Sequence, residues 1–428
     1  MNPLAQELND ILKGTTVSHL LSDFGKRFYF PKGIVTQSAE AKDRATRYNA
    51  TVGMATLGAD PIFLNHVKGL VPGLTAGEMF PYAPTPGVPA LRQAWKEEML
   101  RKNPSLQNTP ISLPLVTTGL THGVSTVADL FLDPGDQILV PDMFWGNYRL
   151  IFEGRNKAVL KTFPFFNHRG GMNLAALEEG LRALPLEKSA LVLNFPNNPT
   201  GYTPTNTEMQ DLVALLEKLA REGRKLLVLT DDAYFGLFYE EDTCRESLFS
   251  FIAGLHENIV AVKLDGATKE ELAWGFRVGF ITYGSRGLTD AQYAALDKKT
   301  GGAVRASISN SSKLSQSLVL RGLTDPGYRA AKDQAEAILK ARYLKVREAV
   351  NGYGKEVPLK ALPFNSGYFM TFLVEGKSAE DLRLHLLDNY AIGTISIQEK
   401  YLRVAYSSVD IENLEDLFSL IAKAAVEL

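Results

Sequence analysis

The stretch GATKEELAWGFRVGF, residues 266–280, decides how the rest of this chain is interpreted. It carries Lys269 between two apolar segments, residues 258–265 and 278–283, whose composition predicts buried strands. Lys269 is therefore expected in a connection at the end of a sheet, where side chains that act on ligands are commonly held. Arg277 follows eight positions later. A lysine in such a connection is most often a solvated surface charge, so its role depends on the neighbouring segments.

Short apolar segments alternate with helical segments around this stretch. Between two of them, Thr205 and Glu208 have the spacing of a capping box, and the apolar residues that follow recur on one helical face. Alternation of strands and helices favours a mainly parallel sheet with helices on both faces. The predicted strands are residues 114–118, 137–141, 190–194, 226–230, 259–264 and 278–283.

The pattern changes after Pro326. A long charged helix over residues 328–350 is followed by strands near residues 367–374 and 401–406 and by a last helix, which together predict a smaller α+β domain. The expected division is an N-terminal segment that packs with the small domain, residues 1–55, a large domain, residues 56–325, and the small C-terminal domain, residues 326–428.

Bulk properties exclude several classes of protein. A chain of 428 residues is too long for a single core. A formal net charge of −2 gives no indication of a nucleic-acid or membrane partner, and the single cysteine, Cys244, excludes an internal disulfide framework. The sequence shows no secretory signal, no apolar run near the roughly 18 residues of a membrane span, and no histidines paired at metal-ligand spacing. We expect a cytoplasmic protein without a bound metal.

Three further segments stand at predicted strand ends. NFPNNPTG, residues 194–201, runs from a strand into the capped helix, and taken alone it is a turn. TDDAY, residues 230–234, ends the next strand, where carboxylates are often merely solvated. GLTH, residues 119–122, begins a helix directly after a strand, so its backbone N–H groups could hold an anion such as phosphate. Each signal is weak, and their order and spacing carry more information than any one of them.

In that order and spacing, over residues 45–410, the sequence resembles the fold-type I pyridoxal-phosphate aminotransferases, in particular the aspartate aminotransferase group. The resemblance implies an α/β fold whose large domain has a mainly parallel seven-stranded sheet flanked by helices, with a smaller α+β domain formed by the N and C termini. It also implies that the cofactor is pyridoxal 5′-phosphate.

The resemblance assigns the catalytic groups to Lys269, Asp231, Tyr234 and Trp145. Lys269 is similar to the lysine that forms a Schiff base with the cofactor aldehyde, which requires a lowered pKa of its amine. Asp231 is similar to the aspartate that keeps the pyridine nitrogen protonated, so that the ring draws electrons from the substrate α-carbon. Asn198 and Tyr234 resemble the pair that hydrogen-bonds the phenolic oxygen. Trp145, within FWGNY, resembles the tryptophan that stacks on the pyridine ring.

The resemblance also assigns a phosphate site. Arg277 is similar to the arginine that forks onto the cofactor phosphate, a task for which lysine is a poor substitute. The backbone amides of Gly119 and Leu120 and the nearby Thr118 hydroxyl are expected to complete the cradle, and Thr268 belongs to the same cofactor-binding set.

Two positions depart from the family pattern. Gly266 stands three residues before the lysine, where the family usually has a serine, and Leu120 stands where a serine or threonine often holds the phosphate. Two hydroxyl contacts are therefore expected to be missing. Either the cofactor binds less tightly or other side chains replace them.

The remaining matches concern the substrate and the partner subunit. Arg403, within YLRVAY, is similar to the arginine that binds the substrate α-carboxylate, and Gly53 and Asn198 border that group. Arg305, within RASISN, resembles an arginine that enters the neighbouring subunit's site and pairs with a side-chain carboxylate; an exposed loop arginine is the alternative. Tyr82, within YAPTPG, resembles a tyrosine that reaches the phosphate of the other subunit. These matches imply a homodimer with shared sites and dicarboxylic substrates.

The predicted activity is a ping-pong transfer of an amino group between aspartate or glutamate and a 2-oxo acid. Other aminotransferases, acting on aromatic amino acids, 2-aminoadipate or others, stay open. So do a β-decarboxylase and a carbon–sulfur lyase, because the same carbanion serves all these reactions. A cofactor-binding regulator is disfavoured, since no basic recognition helix precedes Gly53.

Overall fold

In the computed structural model, residues 1–13, 18, 21, 23–27, 34–58 and 60–428 are described. They form a larger and a smaller β-sheet and two further pairs of strands, with helices around them. The strands in chain order are β1 (Tyr48–Asn49), β2 (Thr56–Leu57), β3 (Asp60–Pro61), β4 (Leu115–Thr117), β5 (Gln137–Pro141), β6 (Val159–Phe163), β7 (Ser189–Asn194), β8 (Leu226–Asp231), β9 (Ile259–Gly266), β10 (Gly279–Gly284), β11 (Leu359–Ala361), β12 (Met370–Val374), β13 (Ile392–Gly393), β14 (Ile395–Ile397) and β15 (Tyr401–Val404).

Helices connect most of these strands. None of the helices in the described part of the chain combines the length and the apolar character that crossing a membrane requires. In chain order they are α1 (Pro3–Leu12), α2 (Asp23–Arg27), α3 (Ile34–Arg44), α4 (Asn65–Leu70), α5 (Ala76–Met79), α6 (Pro89–Lys102), α7 (Gly119–Phe131), α8 (Leu174–Ala183), α9 (Asn206–Arg221), α10 (Leu248–Ile252), α11 (Ala267–Glu270), α12 (Asp290–Ser307), α13 (Lys313–Thr324), α14 (Tyr328–Asn351), α15 (Ala379–Tyr390) and α16 (Ile411–Glu427).

The larger sheet has seven strands in the order β4-β10-β9-β8-β7-β5-β6. Neighbouring strands are parallel except at β10, which runs antiparallel to both β4 and β9. The mainly parallel seven-stranded sheet that the sequence predicts is therefore confirmed.

Alternate residues of the central strands pack on opposite faces of this sheet. In β7, Leu191 and Leu193 pack with α8 and α9, whereas Ala190 and Val192 pack on the other face with α7. Every residue of β7 and β8 is buried as a result. Strands covered on both faces are apolar throughout, which is why these segments were recognisable in the sequence.

The carboxyl ends of the parallel strands lie along one edge of the larger sheet. Asn194 at the end of β7 pairs with Asp231 at the end of β8, and Gly279 of β10 pairs with both Gly266 of β9 and Thr117 of β4. Helices α7 and α11 start directly after β4 and β9, so their first residues lie at this same edge. In open α/β sheets this edge is where ligands bind.

Helix α9 begins where its sequence predicts. The Thr205 side chain accepts a hydrogen bond from the Glu208 N–H, and the Glu208 side chain accepts one from the Thr205 N–H. This is the predicted capping box. Of the predicted apolar residues, Val213 is half-buried and the others are buried, namely Met209, Leu212, Leu216, Leu219 and Ala220.

The smaller sheet is antiparallel, with the order β11-β12-β15-β14. Helices α14 and α16 share its core, which includes Phe372, Leu402 and Phe418. Strand β1 pairs with β13, so the chain near residue 48 joins this part of the molecule. Helix α2 instead contacts the segment between β5 and β6, where Arg27 Nε donates to Gly154 O at 3.1 Å. Part of the predicted N-terminal segment, residues 1–55, lies outside the described residues.

Candidate active site

Two adjoining cavities lie where the carboxyl edge of the larger sheet meets the smaller sheet. The inner cavity has a volume of about 70 Å³ and the outer cavity one of about 380 Å³. Both are lined by Trp145, Asn198, Tyr234 and Lys269, so they form one continuous site. The inner cavity is also lined by Leu120, Thr121, Asn194, Asp231, Ala233, Thr268 and Arg277. The outer cavity is also lined by Ser38, Thr51, Val52, Gly53, Phe369 and Arg403.

Lys269 stands at the junction of the two cavities. It lies on α11, directly after β9, and its Nζ is 5.0 Å from the centre of the Tyr234 ring. Burial lowers the pKa of Lys269 to about 8; the Asp231 carboxylate opposes this shift and Arg277 adds to it. At such a pKa a large fraction of the side chain is the neutral amine near pH 8, which is the form that attacks a carbonyl carbon.

Asp231 is a buried carboxylate at the end of β8. Its Oδ2 accepts a hydrogen bond from the Tyr148 hydroxyl at 2.6 Å, and its Oδ1 accepts one from the Ala233 N–H at 3.2 Å. Burial raises the pKa of Asp231, while the Tyr148 hydrogen bond and the charge of Lys269 oppose the shift. The Tyr148 ring also meets the Trp145 ring edge to face at 5.6 Å. A buried carboxylate held by a hydroxyl and a backbone amide is suited to a cationic ring nitrogen.

Arg277 lies against the start of α7. A methyl group on Gly119, the first residue of that helix, would come 2.4 Å from Arg277 Nη2. Gly119 also has a φ of +76°, a backbone conformation that glycine adopts without strain. In the described structure no side chain caps this helix. The N–H groups of its first turn, together with the guanidinium, therefore offer a site for a phosphate group.

Three hydroxyl groups lie near that site. Thr268 Oγ1 is buried, and within the described residues it has no hydrogen-bond partner, so a ligand oxygen would recover the free energy that this orphaned group costs. Thr121, on the first turn of α7, lines the same cavity. The Thr118 hydroxyl, which the sequence assigns to the cradle, hydrogen-bonds Ser311 Oγ at 3.0 Å.

The two departures from the family pattern are neighbours in space. A side chain on Gly266 would come 2.6 Å from Val278 O and 2.7 Å from Gly279 Cα. It would also come 3.0 Å from Leu120 Cδ1. The room that a serine needs is therefore taken by the backbone at the start of β10 and by Leu120 itself.

The NNPTG segment holds Asn198 in place between the two sheets. Asn194 donates through Nδ2 to the Asp231 carbonyl at 2.7 Å and accepts through Oδ1 from the Asn198 N–H at 2.7 Å. Gly201 has a φ of +76°, and a methyl group there would come 2.0 Å from Phe369 O. Only a glycine permits this close approach to the chain that precedes β12.

Arg403 of β15 is buried beside the outer cavity. Its Nη1 donates to Asn198 Oδ1 at 3.1 Å and its Nη2 to Thr51 O at 3.0 Å, while Cζ lies 4.4 Å from the centre of the Phe369 ring. Nε is buried and has no partner among the described residues. Burial lowers the pKa of Arg403 to about 10. A ligand carboxylate would give the Arg403 guanidinium a charged partner. Gly53 leaves room for it, because even a methyl group at this position would lie 3.5 Å from Phe369, an ordinary van der Waals distance.

Besides Thr118 and Gly119 at the start of α7, two predicted site residues line neither cavity. Tyr82 is 90% exposed. Arg305, near the end of α12, is exposed, and its Nη1 donates to Ser309 Oγ at 2.8 Å. Their contribution to a neighbouring subunit's site stays a prediction.

Several residues of the site were not predicted from the sequence. Tyr148 and Asn194 lie inside the segments FWGNY and NFPNNPTG, so a polar side chain within those segments was the available signal. Thr121 follows the leucine that replaces a family hydroxyl, and this adjacency was a signal too. Phe369 gave none, because an aromatic residue next to a strand is ordinarily part of the core.

Comparison with known proteins identifies relatives along most of the chain. The family model described as aminotransferase class I and II matches residues 66–421. A probable N-acetyl-LL-diaminopimelate aminotransferase of Bacillus subtilis is 26% identical over 229 residues, which are 53% of this chain and 53% of that protein. An aspartate/prephenate aminotransferase of Thermus thermophilus is 28% identical over 267 residues, 60% of this chain and 62% of that protein. The chain thus spans between half and two thirds of the length of these relatives.

Solved structures share the fold. An aminotransferase of Anaerococcus prevotii superposes with a TM-score of 0.82 at 22% identity, over 95% of this chain and 99% of that one. At this level of identity, the likeness establishes the architecture, and the reaction has to be argued from the site.

Proposed function

Because this chain belongs to the aminotransferase class I and II family and has the fold-type I architecture, we propose that it uses pyridoxal phosphate to move an amino group between an amino acid and a 2-oxo acid. The observation that carries the proposal is the junction of two cavities at Lys269. The inner cavity offers a buried carboxylate and a phosphate site, and the outer cavity offers an arginine that has no carboxylate partner among the described residues.

The residues of the inner cavity fit this cofactor. Arg277, the N–H groups at the start of α7 and the orphaned hydroxyl of Thr268 would hold its phosphate. Asp231, supported by the Tyr148 hydroxyl, would hold the ring nitrogen in its protonated form.

The residues shared by both cavities would hold the ring itself. Trp145 would stack on it, and Asn198 and Tyr234 would hydrogen-bond its phenolic oxygen. When bound, pyridoxal phosphate supplies an aldehyde that joins to amines and a ring that withdraws electrons. Lys269 would attach this group and, as a free amine, would hold and move the proton at the substrate α-carbon.

The cofactor can be tested directly. As purified, the protein should be yellow, with a Schiff-base absorption that Lys269→Ala changes to that of the free aldehyde or of its adduct with a substrate amine. A protein that is colourless and stays colourless after addition of pyridoxal phosphate would contradict the proposal. Lys298→Ala, a substitution on α12 outside both cavities, is the matched control and should keep the colour.

We propose that the substrates are amino acids and 2-oxo acids bound through their α-carboxylate at Arg403. The support is the buried guanidinium, whose hydrogen bonds go to the neutral groups Asn198 Oδ1 and Thr51 O. A buried arginine without a carboxylate partner is costly, and a ligand carboxylate offsets that cost.

Aspartate or glutamate is the proposed amino donor. This part of the proposal rests on the match of Arg305 to an arginine that serves a neighbouring subunit, and on a homodimer that brings it there. The exposure of Arg305 and Tyr82 leaves both side chains free to enter another subunit. An aspartate/prephenate aminotransferase is among the relatives. The buried free thiol of Cys244 is in keeping with the reducing cytoplasm as its location.

One panel of amino donors, assayed with 2-oxoglutarate, tests the substrate. A desolvated arginine–carboxylate pair contributes about 2–4 kcal/mol, which corresponds to roughly 30- to 1000-fold in kcat/KM. Arg305→Ala should lower kcat/KM for aspartate within that range and leave alanine and phenylalanine nearly unchanged. Arg403→Ala should lower kcat/KM for every amino acid, because each has an α-carboxylate.

Arg221→Ala is the matched control, since this exposed arginine forms a surface pair with Glu217 and lines neither cavity. If wild type prefers aromatic or aliphatic donors and Arg305→Ala leaves aspartate unaffected, the dicarboxylate assignment is wrong. Loss of aspartate without any amino-group transfer would instead identify a decarboxylase or lyase.

A further inference from the structure

A group of buried charges lies directly behind the turn that carries Lys269. Glu270 and Glu271, the two residues that follow it, are both buried. Carboxylates are rarely buried unless cations or hydrogen-bond donors surround them. The donors here come from two helices that lie far apart in the sequence.

Helix α6 supplies the first cation. Lys102, its last residue, forms an ion pair with Glu270, and its Nζ is 3.6 Å from Glu271 Oε1. Lys102 is itself 3.1 Å from Glu98 Oε1 on the same helix. This side of the group belongs to the part of the molecule that contains the larger sheet.

Helix α14 supplies the second side. The Tyr328 hydroxyl donates to Glu271 Oε1 at 2.9 Å, and Lys332 Nζ is 3.4 Å from the same oxygen. Lys332 also donates to the backbone carbonyl of Glu270. Tyr328 and Lys332 are four residues apart and so share one face of the helix. Helix α14 continues into the core of the smaller sheet.

The turn α11 depends on such contacts. It has four residues, too few to be rigid by its own hydrogen bonds. The pKa of Lys269 depends on its burial and on the charges of Asp231 and Arg277. The buried charges behind the turn therefore influence the amine by fixing the place where it lies.

We propose that Tyr328 and Lys332 are positioning residues for Lys269. Through Glu270 and Glu271 they fix the turn α11 and so link the orientation of the amine to helix α14. If α14 moved without the turn, Glu271 would lose two of its donors and keep only the more distant Lys102, which is costly for a buried carboxylate. The inference rests on the proposed function in that Lys269 is the residue to which the cofactor attaches.

The test separates attachment of the cofactor from occupation of the pocket. Cofactor-free protein is mixed with pyridoxal phosphate, and the rate of covalent attachment to Lys269 is followed by absorbance. The affinity for pyridoxamine phosphate, which fills the same pocket but has no aldehyde, is measured by calorimetry. The variants are Lys332→Met and the milder Tyr328→Phe. The control is Lys345→Met, on the same helix but paired at the surface with Glu415.

We expect Lys332→Met to slow attachment by about tenfold or more and Tyr328→Phe by about threefold, because small displacements of a reacting group have large effects on rate. The affinity for pyridoxamine phosphate should stay within about twofold of wild type in both, and Lys345→Met should match wild type in both measurements.

Wild-type attachment rates in both α14 variants, with only a lower melting temperature, would show that these residues merely stabilise the fold and would overturn the inference. An equal loss of attachment rate and of pyridoxamine phosphate affinity would overturn it too, because the whole pocket would then be disturbed. If Lys332→Met does not fold, Tyr328→Phe decides alone. Failure of the proposed function looks different, since wild type itself would then attach no pyridoxal phosphate.

Discussion

At the scale of single residues, the Lys269 amine gives a pH-dependent prediction. Its pKa is lowered to about 8, chiefly by burial, and only the neutral amine attacks an aldehyde. The rate at which cofactor-free protein attaches pyridoxal phosphate should therefore rise with pH, reach half of its maximum near pH 8 and level off about one unit higher. Stopped-flow absorbance across this range measures the midpoint. A midpoint near the ordinary lysine value of 10.5 would contradict the buried position of the amine.

Gly266 gives a second prediction, opposite to what the family pattern suggests. Restoring the family's serine with Gly266→Ser should destabilise the protein by about 1–3 kcal/mol, because the added side chain meets Val278 O at 2.6 Å. Thermal or urea unfolding measures the loss. Gly302→Ser is the control, since a methyl at that exposed position meets nothing within 4 Å. Unchanged stability in Gly266→Ser would show that the start of β10 can shift to accept a side chain.

Much of the candidate site was predictable at this scale because its residues interrupt apolar runs. Lys269, Asp231 and Arg403 are charges at or next to buried strands, and the structure brings all three to one pair of cavities. The Tyr148 hydrogen bond to Asp231 was not predictable, since it joins residues 83 positions apart. The roles proposed for Lys269 and Arg403 are tested by the variants described under the proposed function.

At the scale of elements, the start of α7 and Arg277 together predict how the cofactor phosphate is held. Arg277→Met should weaken binding of pyridoxamine phosphate by about 2–3 kcal/mol, or roughly 30- to 150-fold, because a charge-assisted pair is lost. Binding of pyridoxamine, which has no phosphate, should hardly change. Calorimetry on both compounds gives the comparison.

The exposed Arg286 provides the control for that experiment. Its Nη1 donates only to the Leu255 carbonyl at 3.4 Å, so Arg286→Met should leave both affinities as in wild type. If Arg277→Met lowered the affinity for pyridoxamine phosphate and for pyridoxamine equally, the arginine would shape the pocket as a whole instead of binding the phosphate.

Elements were predictable where burial on two faces makes a strand apolar throughout. Strands β5, β7, β8, β9 and β10 appear within a residue or two of their predicted bounds. Strand β6 was missed because it forms the edge of the sheet and leaves Val159, Lys161 and Thr162 exposed, so its sequence VLKTF has no apolar run. The short strands β11 and β14 were missed for a related reason, since three residues carry too little pattern.

At the scale of the whole molecule, the resemblance of Tyr82 and Arg305 to residues that reach a neighbouring subunit leads us to expect a dimer that shares its sites, and both side chains are exposed. Mixing Lys269→Ala chains with Arg305→Ala chains should recover activity toward aspartate, because each hybrid dimer contains one site with both residues intact. Sedimentation or light scattering should show a dimer at working concentrations.

A matched mixture sharpens this test. Lys269 and Arg403 line the same cavity of one chain, so hybrids of Lys269→Ala with Arg403→Ala contain no intact site and should stay inactive. Recovery in the second mixture, or no recovery in the first once hybrids are verified, would contradict sites shared through Arg305.

The division of the molecule into two sheets was predictable from the change of pattern after Pro326. The way in which the two parts pack against each other was not predictable from the sequence. That fit depends on backbone packing, such as Gly201 against the Phe369 carbonyl, which leaves no trace in composition or periodicity. The domain boundaries and the position of residues 1–55 stay predictions.

The contacts of Tyr328 and Lys332 also bear on how this chain can be recombined with its relatives. A crossover at the predicted boundary, residue 325, would deliver a foreign helix α14 to Glu270 and Glu271. Whenever the incoming helix lacked matching donors, the Glu271 carboxylate would lose two donors and the Glu270 carbonyl would lose one. A crossover placed after Lys332 would keep these donors together with the Glu271 carboxylate and the Glu270 carbonyl. Chimeras made at the two points, compared for soluble yield, should favour the later one.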